Sequence, residues 1–173
     1  MAHRPICSNF GTIAGVNPYC TPRSLWEYAT GRVGGGDERW EGNDHTRRGN
    51  ALEDTARDFY TAKLGTEVMR TGLFIHKAHA WLAASPDGLV GDNGVLEIKC
   101  PAHGPHETVP PNYMAQLQGQ LHCSGRETAH FLSYAQGQGK ATLFECAHAA
   151  SHLPSFCGSG RLQFGGTGLS IRP

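Results

Sequence analysis

Apolar positions recur along this chain in two rhythms, one helical and one of short runs. Leu25, Trp26, Tyr28 and Ala29 give one side of a helix that Thr21 caps, Pro22 opens and Gly31 ends. Leu52, Ala56, Phe59, Tyr60 and Leu64 fall at helical spacing from a start at Asn50 to a stop at Gly65. A third helix is expected from Tyr113 to about Cys123, introduced by Pro110-Pro111-Asn112, and Ser8 is read as the cap of a short turn running through Ile13 to Gly15. Strands are expected at Glu67–Leu73, Trp81–Ala84, Leu89–Val90 and Val95–Cys100, with a final hairpin of Ala129–Tyr134 and Ala141–Cys146 across Gln136–Gly139. Helices, a mixed sheet, a helix and more sheet predict an α/β fold in layers. From Gly31 to Gly49 the chain is glycine-rich and charged, and reads as a loop able to act as a lid or a DNA-contacting flap around Trp40. Beyond Ala147 no period is sustained, and Ser151 to Pro173 is expected to be irregular.

Composition narrows the classes. The chain has 173 residues, enough for one domain with a real core. Fifteen basic and fifteen acidic residues cancel, so any nucleic-acid surface must come from local clustering. No run of about 18 apolar residues occurs, which argues against a membrane helix. Met1-Ala2-His3-Arg4-Pro5 lacks the apolar core of a signal peptide, and a cytoplasmic location is expected. The six cysteines include no C-x-x-C pair and are expected to be reduced and mostly buried.

The chemistry concentrates in Ser85-Pro86-Asp87-Gly88-Leu89-Val90 and Leu96-Glu97-Ile98-Lys99-Cys100-Pro101, joined by Gly91-Asp92-Asn93-Gly94. Asn-Gly between two apolar runs signals a hairpin. Residues two apart on a strand share a face, so Glu97 and Lys99 point the same way, and the hairpin brings Asp87 beside them. Two carboxylates and a lysine at one point suit a hard divalent cation and an activated water. Glu53, on the first turn of the long helix, adds a third carboxylate, and the Ile98 carbonyl a further oxygen. Lys99 is placed to orient the water or to stabilise charge on a scissile phosphate. Tyr113 and Gln116 lie at i and i+3 and share one helix face. Each piece alone has a plainer reading: a solvated E-x-K pair, an Asp-Gly turn, a capping box at Asn50 and Glu53.

Taken in order, these motifs resemble the YqaJ-like viral recombinases, the lambda exonuclease branch of the PD-(D/E)XK nucleases. The likeness rests on Ser85-Pro86-Asp87-Gly88, Leu96-Glu97-Ile98-Lys99-Cys100-Pro101, Tyr113-Met114-Ala115-Gln116-Leu117-Gln118, the helix Gly49–Arg57 and the opening segment from Cys7 to Trp26. It implies a restriction-endonuclease-like core with a central mixed sheet flanked by helices, spanning residues 1–148. The segment 149–173 then stands apart as an atypical tail, read as truncated or frameshifted because the family's closing strand and helix pattern does not follow. The resemblance implies that Asp87, Glu97, the Ile98 carbonyl and Glu53 bind magnesium, with manganese as a substitute. Lys99 becomes the base or water-orienting group, and Gln116 its positioning partner. Ser8, Ser85 and Tyr113 fall near the bound 5′-phosphate, although the family's upstream arginine aligns with Met1, and Arg4 is poorly spaced to replace it. The substrate implied is the end of linear duplex DNA, digested from 5′ to 3′. The partner implied is a single-strand annealing protein, and the assembly a homotrimer.

Basic residues Arg32, Arg39, Arg47, Arg48, Arg57, Arg70 and Lys77 precede the motif and suggest a DNA channel. Competing readings are a non-catalytic or assembly-defective DNA-binding relative and a RecB-like nuclease. An iron–sulfur cluster needs closer cysteines than Cys146 and Cys157, and the histidines, His76 and His79 among them, match no familiar zinc spacing.

Overall fold

A computed structural model of the chain describes residues 6–32, 44–136, 140–149, 161–165 and 168–172, with backbone alone for 44–47, 50 and the last two segments. A 3₁₀ turn, Cys7–Asn9, runs into α1 (Phe10–Ile13), followed by α2 (Pro22–Ala29) and α3 (Asp44–Leu64). Short strands β1 (Val68–Met69), β2 (Phe74–Ile75), β3 (Ala83–Ala84) and β4 (Gly88–Val90) lead to β5 (Gly94–Lys99). Helix α4 (Pro111–Ser124), strands β6 (Thr128–Ala135) and β7 (Lys140–Ala147), and the pair β8 (Arg161–Gly165) and β9 (Gly168–Arg172) complete the order.

The main sheet has seven strands in the order β1-β4-β5-β6-β7-β8-β9, and β2 pairs with β3 apart from it. Within the main sheet β5 and β6 run parallel, and the other described pairs are antiparallel. A parallel neighbour needs a long crossover, which α4 supplies. Helix α3 covers one face of the sheet: Ala56 and Tyr60 pack with Leu96, Ile98, Leu132 and Leu143. Helix α4 covers the other: Leu117 and Leu121 pack with Val95, Ala129, Phe131 and Phe144. Strand β5 is therefore buried on both sides, and alternation sends Leu96 and Ile98 to α3 but Val95 and Glu97 to α4.

Most expected elements are present. Thr21 accepts from the Ser24 N–H at 3.1 Å while Ser24 Oγ accepts from the Thr21 N–H at 3.0 Å, a reciprocal cap. Gly15, Gly31, Gly65 and Gly125 end helices at positive φ. The differences have physical causes. Helix α3 starts at Asp44 and not at Asn50, because Gly49 weakens a helix interior without breaking it. Ser8 lies inside the 3₁₀ turn and makes no cap. The expected strand Glu67–Leu73 shrinks to β1, and the apolar side of α2 stays outside the core, with Trp26 49% exposed.

The tail is the larger correction. Residues 161–172 were expected to be irregular, yet β8 pairs with β7 and β9 with β8. Leu162 and Phe164, then Leu169 and Ile171, alternate with polar or small residues in two short runs. Trp40, Arg39, Met1, Arg4, Cys157 and most of the expected flap lie outside the described residues. No disulfide forms among the described residues, and the buried Cys7 and Cys123 sulfurs sit 3.9 Å apart.

Two glycines let the amino-terminal segment close on α4. A Cβ on Gly11 would lie 2.7 Å from the Asn112 backbone, and one on Gly119 would lie 2.5 Å from the Phe10 ring. Gly11→Ala and Gly119→Ala are each expected to cost about 1–3 kcal/mol through overpacking, seen as a lower thermal midpoint even though alanine favours helices. Gly72→Ala meets open space and should stay within about 0.5 kcal/mol of the parent. Equal midpoints for all three variants would contradict this packing.

Candidate active site

The β4–β5 hairpin ends where its ladder opens. The Asp87 N–H donates to the Leu96 carbonyl at 2.9 Å, the last backbone bond of that ladder. Beyond it the Ile98 N–H donates to Asp87 Oδ2 at 2.6 Å, so a carboxylate stands where a strand partner would otherwise be. The Ile98 carbonyl lies along the same edge, since a strand residue directs its N–H and C=O to one side.

Glu97 occupies a core position on the α4 face and is 1% exposed. An ionised carboxylate survives there only if its oxygens are bonded. Gln116 Nε2 donates to Oε1 at 2.7 Å and Gln120 Nε2 to Oε2 at 2.6 Å. Lys99 Nζ forms an ion pair with Oε1. The ammonium also stands 5.2 Å from the centre of the Tyr113 ring, on the same helix face as Gln116.

Arg57 ties α3 to this point. It is buried, and its Nε and NH2 donate to the Asp87 carbonyl at 3.3 and 3.1 Å. The same guanidinium holds Glu53 and Asp54, each at 2.5 Å, and Asp54 also takes Arg70 at 2.6 Å. Arg57 is thus an internal clamp, contrary to its expected place in a DNA channel. It follows Ala56, which packs on the sheet, and lies one turn after Glu53, and that position gives it this role. Arg48 reaches the Pro101 carbonyl at 3.3 Å and anchors the segment after β5, while the Arg47 side chain lies outside the described residues.

Burial first, and the Glu97 charge second, push the Asp87 carboxyl up to about 8; Lys99 and the Ile98 N–H pull against this, and Glu53 adds to it. Burial alone would lower Lys99, but Glu97 and Asp87 outweigh it and hold the amine well above the usual lysine range, as an ammonium. Among the described residues no three His, Cys, Asp or Glu side chains converge as a metal cage. Magnesium asks for less: one or two carboxylates, with waters and phosphate completing its octahedron. Asp87, Glu97 and the Ile98 carbonyl offer hard oxygens of that kind, and the mutual repulsion of the two carboxylates is what a divalent cation relieves. Glu53 faces Arg57 and stands nearby as an additional carboxylate.

Ser8 and Ser85 are both exposed. Ile6 bridges Ala83 in parallel, and the two serines each lie two residues past that bridge, on neighbouring segments. Gln120 and the Arg57 clamp escape a reading of the sequence. The signal for Gln120 was its i, i+4 spacing from Gln116, which puts two amides on one buried face.

The family model of the YqaJ-like viral recombinase domain matches residues 2–127. The crystal structure of an alkaline exonuclease, LHK-Exo, from Laribacter hongkongensis is 30% identical, with a TM-score of 0.68 over 86% of this chain and 79% of that one. The complex of LHK-Exo with dAMP is 28% identical, with a TM-score of 0.69 and the same coverage of 86% and 79%. A phage-related exonuclease from Haemophilus somnus 129PT shares the fold at 18% identity, with a TM-score of 0.59 over 78% of this chain and 69% of that one. No curated protein matches the sequence.

The raised Asp87 carboxyl fixes the sign of a pH effect. Its folded value lies above the ordinary aspartate value, so its contribution to stability is full below that ordinary value and is lost as pH rises through about 8. In chelator, this contribution to urea-unfolding stability is expected to decline from about pH 4 to about pH 8 and to level off above that, and Asp87→Asn to remove the decline. Parallel pH profiles for parent and variant would refute the assignment.

Proposed function

The chain belongs to the YqaJ-like viral recombinase domain family, and from that membership we propose that it is a magnesium-dependent exonuclease acting from 5′ to 3′ on the ends of linear duplex DNA. Nuclease chemistry in the PD-(D/E)XK fold is the role its relatives support. The observation that carries the reading is Glu97, a buried carboxylate held by Lys99, Gln116 and Gln120 beside Asp87.

Asp87, Glu97 and the Ile98 carbonyl would hold magnesium, or manganese in its place, with Glu53 as a further carboxylate nearby. The ion, when bound, lowers the pKa of a water and stabilises the oxygens of an in-line displacement. The protein groups do the rest. Gln116 and Gln120 fix the Glu97 oxygens in one orientation. Lys99, as an ammonium, donates to the attacking water or to the scissile phosphate and offsets the charge that builds there. Its service as a base needs prior loss of a proton that the two carboxylates hold in place. Tyr113 borders the ammonium, and Ser8 and Ser85 offer hydroxyls to a terminal 5′-phosphate. Arg47 and Arg48 lie on the first turns of α3, where cations meet a DNA backbone. Work on DNA ends suits a cytoplasmic protein paired with an annealing protein, and a homotrimer encloses a duplex.

On 5′-phosphorylated linear duplex, magnesium-dependent release of mononucleotides is expected, with covalently closed circles left intact. Lys99→Ala should lower the rate by about 10²–10⁴-fold. Cleavage that survives this substitution, or needs no divalent ion, would sink the mechanism; digestion of closed circles would point to an endonuclease.

A further inference from the structure

The segment from Cys100 to Pro110 joins β5 to α4 without helix or strand, and His106 pins it to the sheet. Ser133 is fully buried on β6, where its register partner is Lys99. The Ser133 Oγ accepts from the His106 backbone N–H at 2.9 Å and stands 2.8 Å from His106 Nδ1. The hydroxyl keeps its own proton and a second lone pair, so it can bond Nδ1 in either direction and anchors the ring by two contacts to one residue. The ring then meets Tyr113 edge-on, with centroids 5.7 Å apart at 81°, and lies 5.8 Å from Phe131. Tyr113 in turn stacks on Phe131 at 5.6 Å and borders Lys99 Nζ at 5.2 Å. An aromatic ring wedged between an anchored histidine and a buried phenylalanine has one place to sit, and it bounds where the ammonium can go.

We propose that His106 is a positioning residue, which acts through Tyr113 to hold the Lys99 ammonium in line with Glu97 and the reacting phosphate. The proposal rests on the nuclease reading above. Burial, then the Lys99 charge, keep His106 below the usual histidine range, which favours a neutral ring beside the ammonium. Misplacing a reacting group by about 1 Å costs about a hundredfold in rate, and loss of this wedge permits such a shift.

The test is a double-substitution cycle on the full chain with linear 5′-phosphorylated duplex and magnesium. His106→Ala is expected to lower kcat between about tenfold and a hundredfold, with KM for DNA and calcium-supported binding of DNA ends nearly unchanged. Ser133→Ala should follow it in direction. In a Tyr113→Leu background, adding His106→Ala should change kcat less than about twofold, since the route to Lys99 is already gone. Multiplied losses in that background would mark a merely structural histidine and overturn the proposal. So would an unchanged kcat, or a fall matched by lost DNA binding. An inactive parent chain would defeat the nuclease reading and this inference together. An active parent with an indifferent His106 defeats the inference alone.

Discussion

Everything near the site depends on one buried charge. Glu97 sits where the pattern of β5 would place an apolar side chain, and an unpaired carboxylate there would cost several kcal/mol. Three donors answer it: Lys99 from the same strand, and Gln116 and Gln120 from α4. The requirement sets the register of helix against sheet. A shift of α4 by one residue would turn both amides away, and with them Leu117 and Leu121. The parallel pairing of β5 with β6 has the same effect from the other side, because α4 must span the crossover and return to the face that Glu97 occupies.

Asp87 follows a different logic. Its carboxylate is held by a backbone N–H that the opening sheet leaves unpaired, and its carbonyl by Arg57 from the opposite layer. One acid is thus fixed from the α4 side and the other from the α3 side. Neither layer alone assembles the pair. The hairpin between them is short, and Gly88 matters to it: a Cβ there would lie 2.3 Å from Val68 Cγ1, so a side chain would push β4 off β1.

Legibility in the sequence tracked how local the cause was. The β4–β5 hairpin, the Thr21 cap, the apolar face of α3 and the span of α4 all follow from turn chemistry and periodicity within a few residues. The pairing of Asp87 with Glu97 and Lys99 was legible for the same reason, as both sides of a tight turn. What stayed hidden needed long-range partners. Gln120 reads as an ordinary polar helix residue until β5 is known to bury a carboxylate opposite it. Arg57 reads as a surface base until α3 is laid on the sheet. Strands β8 and β9 were missed because five-residue alternations rich in glycine carry little signal without β7 to pair with. The start of α3 was missed because Gly49 is a poor helix former overruled by its surroundings.

The cost of the site also bears on how substrate is held. With fifteen basic and fifteen acidic residues the chain has no bulk attraction for DNA, and the centre itself gathers negative charge. Arg57 and Arg70 are spent on Glu53 and Asp54, so these cations steady the protein and leave little field for phosphate. A polyanion approaching Asp87 and Glu97 meets repulsion that Lys99 alone offsets only in part. Under the proposed mechanism a divalent cation drawn to the same two acids would supply the attraction at the centre that these groups do not. Asp87, whose buried carboxyl weakens the fold as pH rises, is also one of the two acids that under the proposed mechanism would recruit a divalent ion, so stability and the proposed recognition share a side chain.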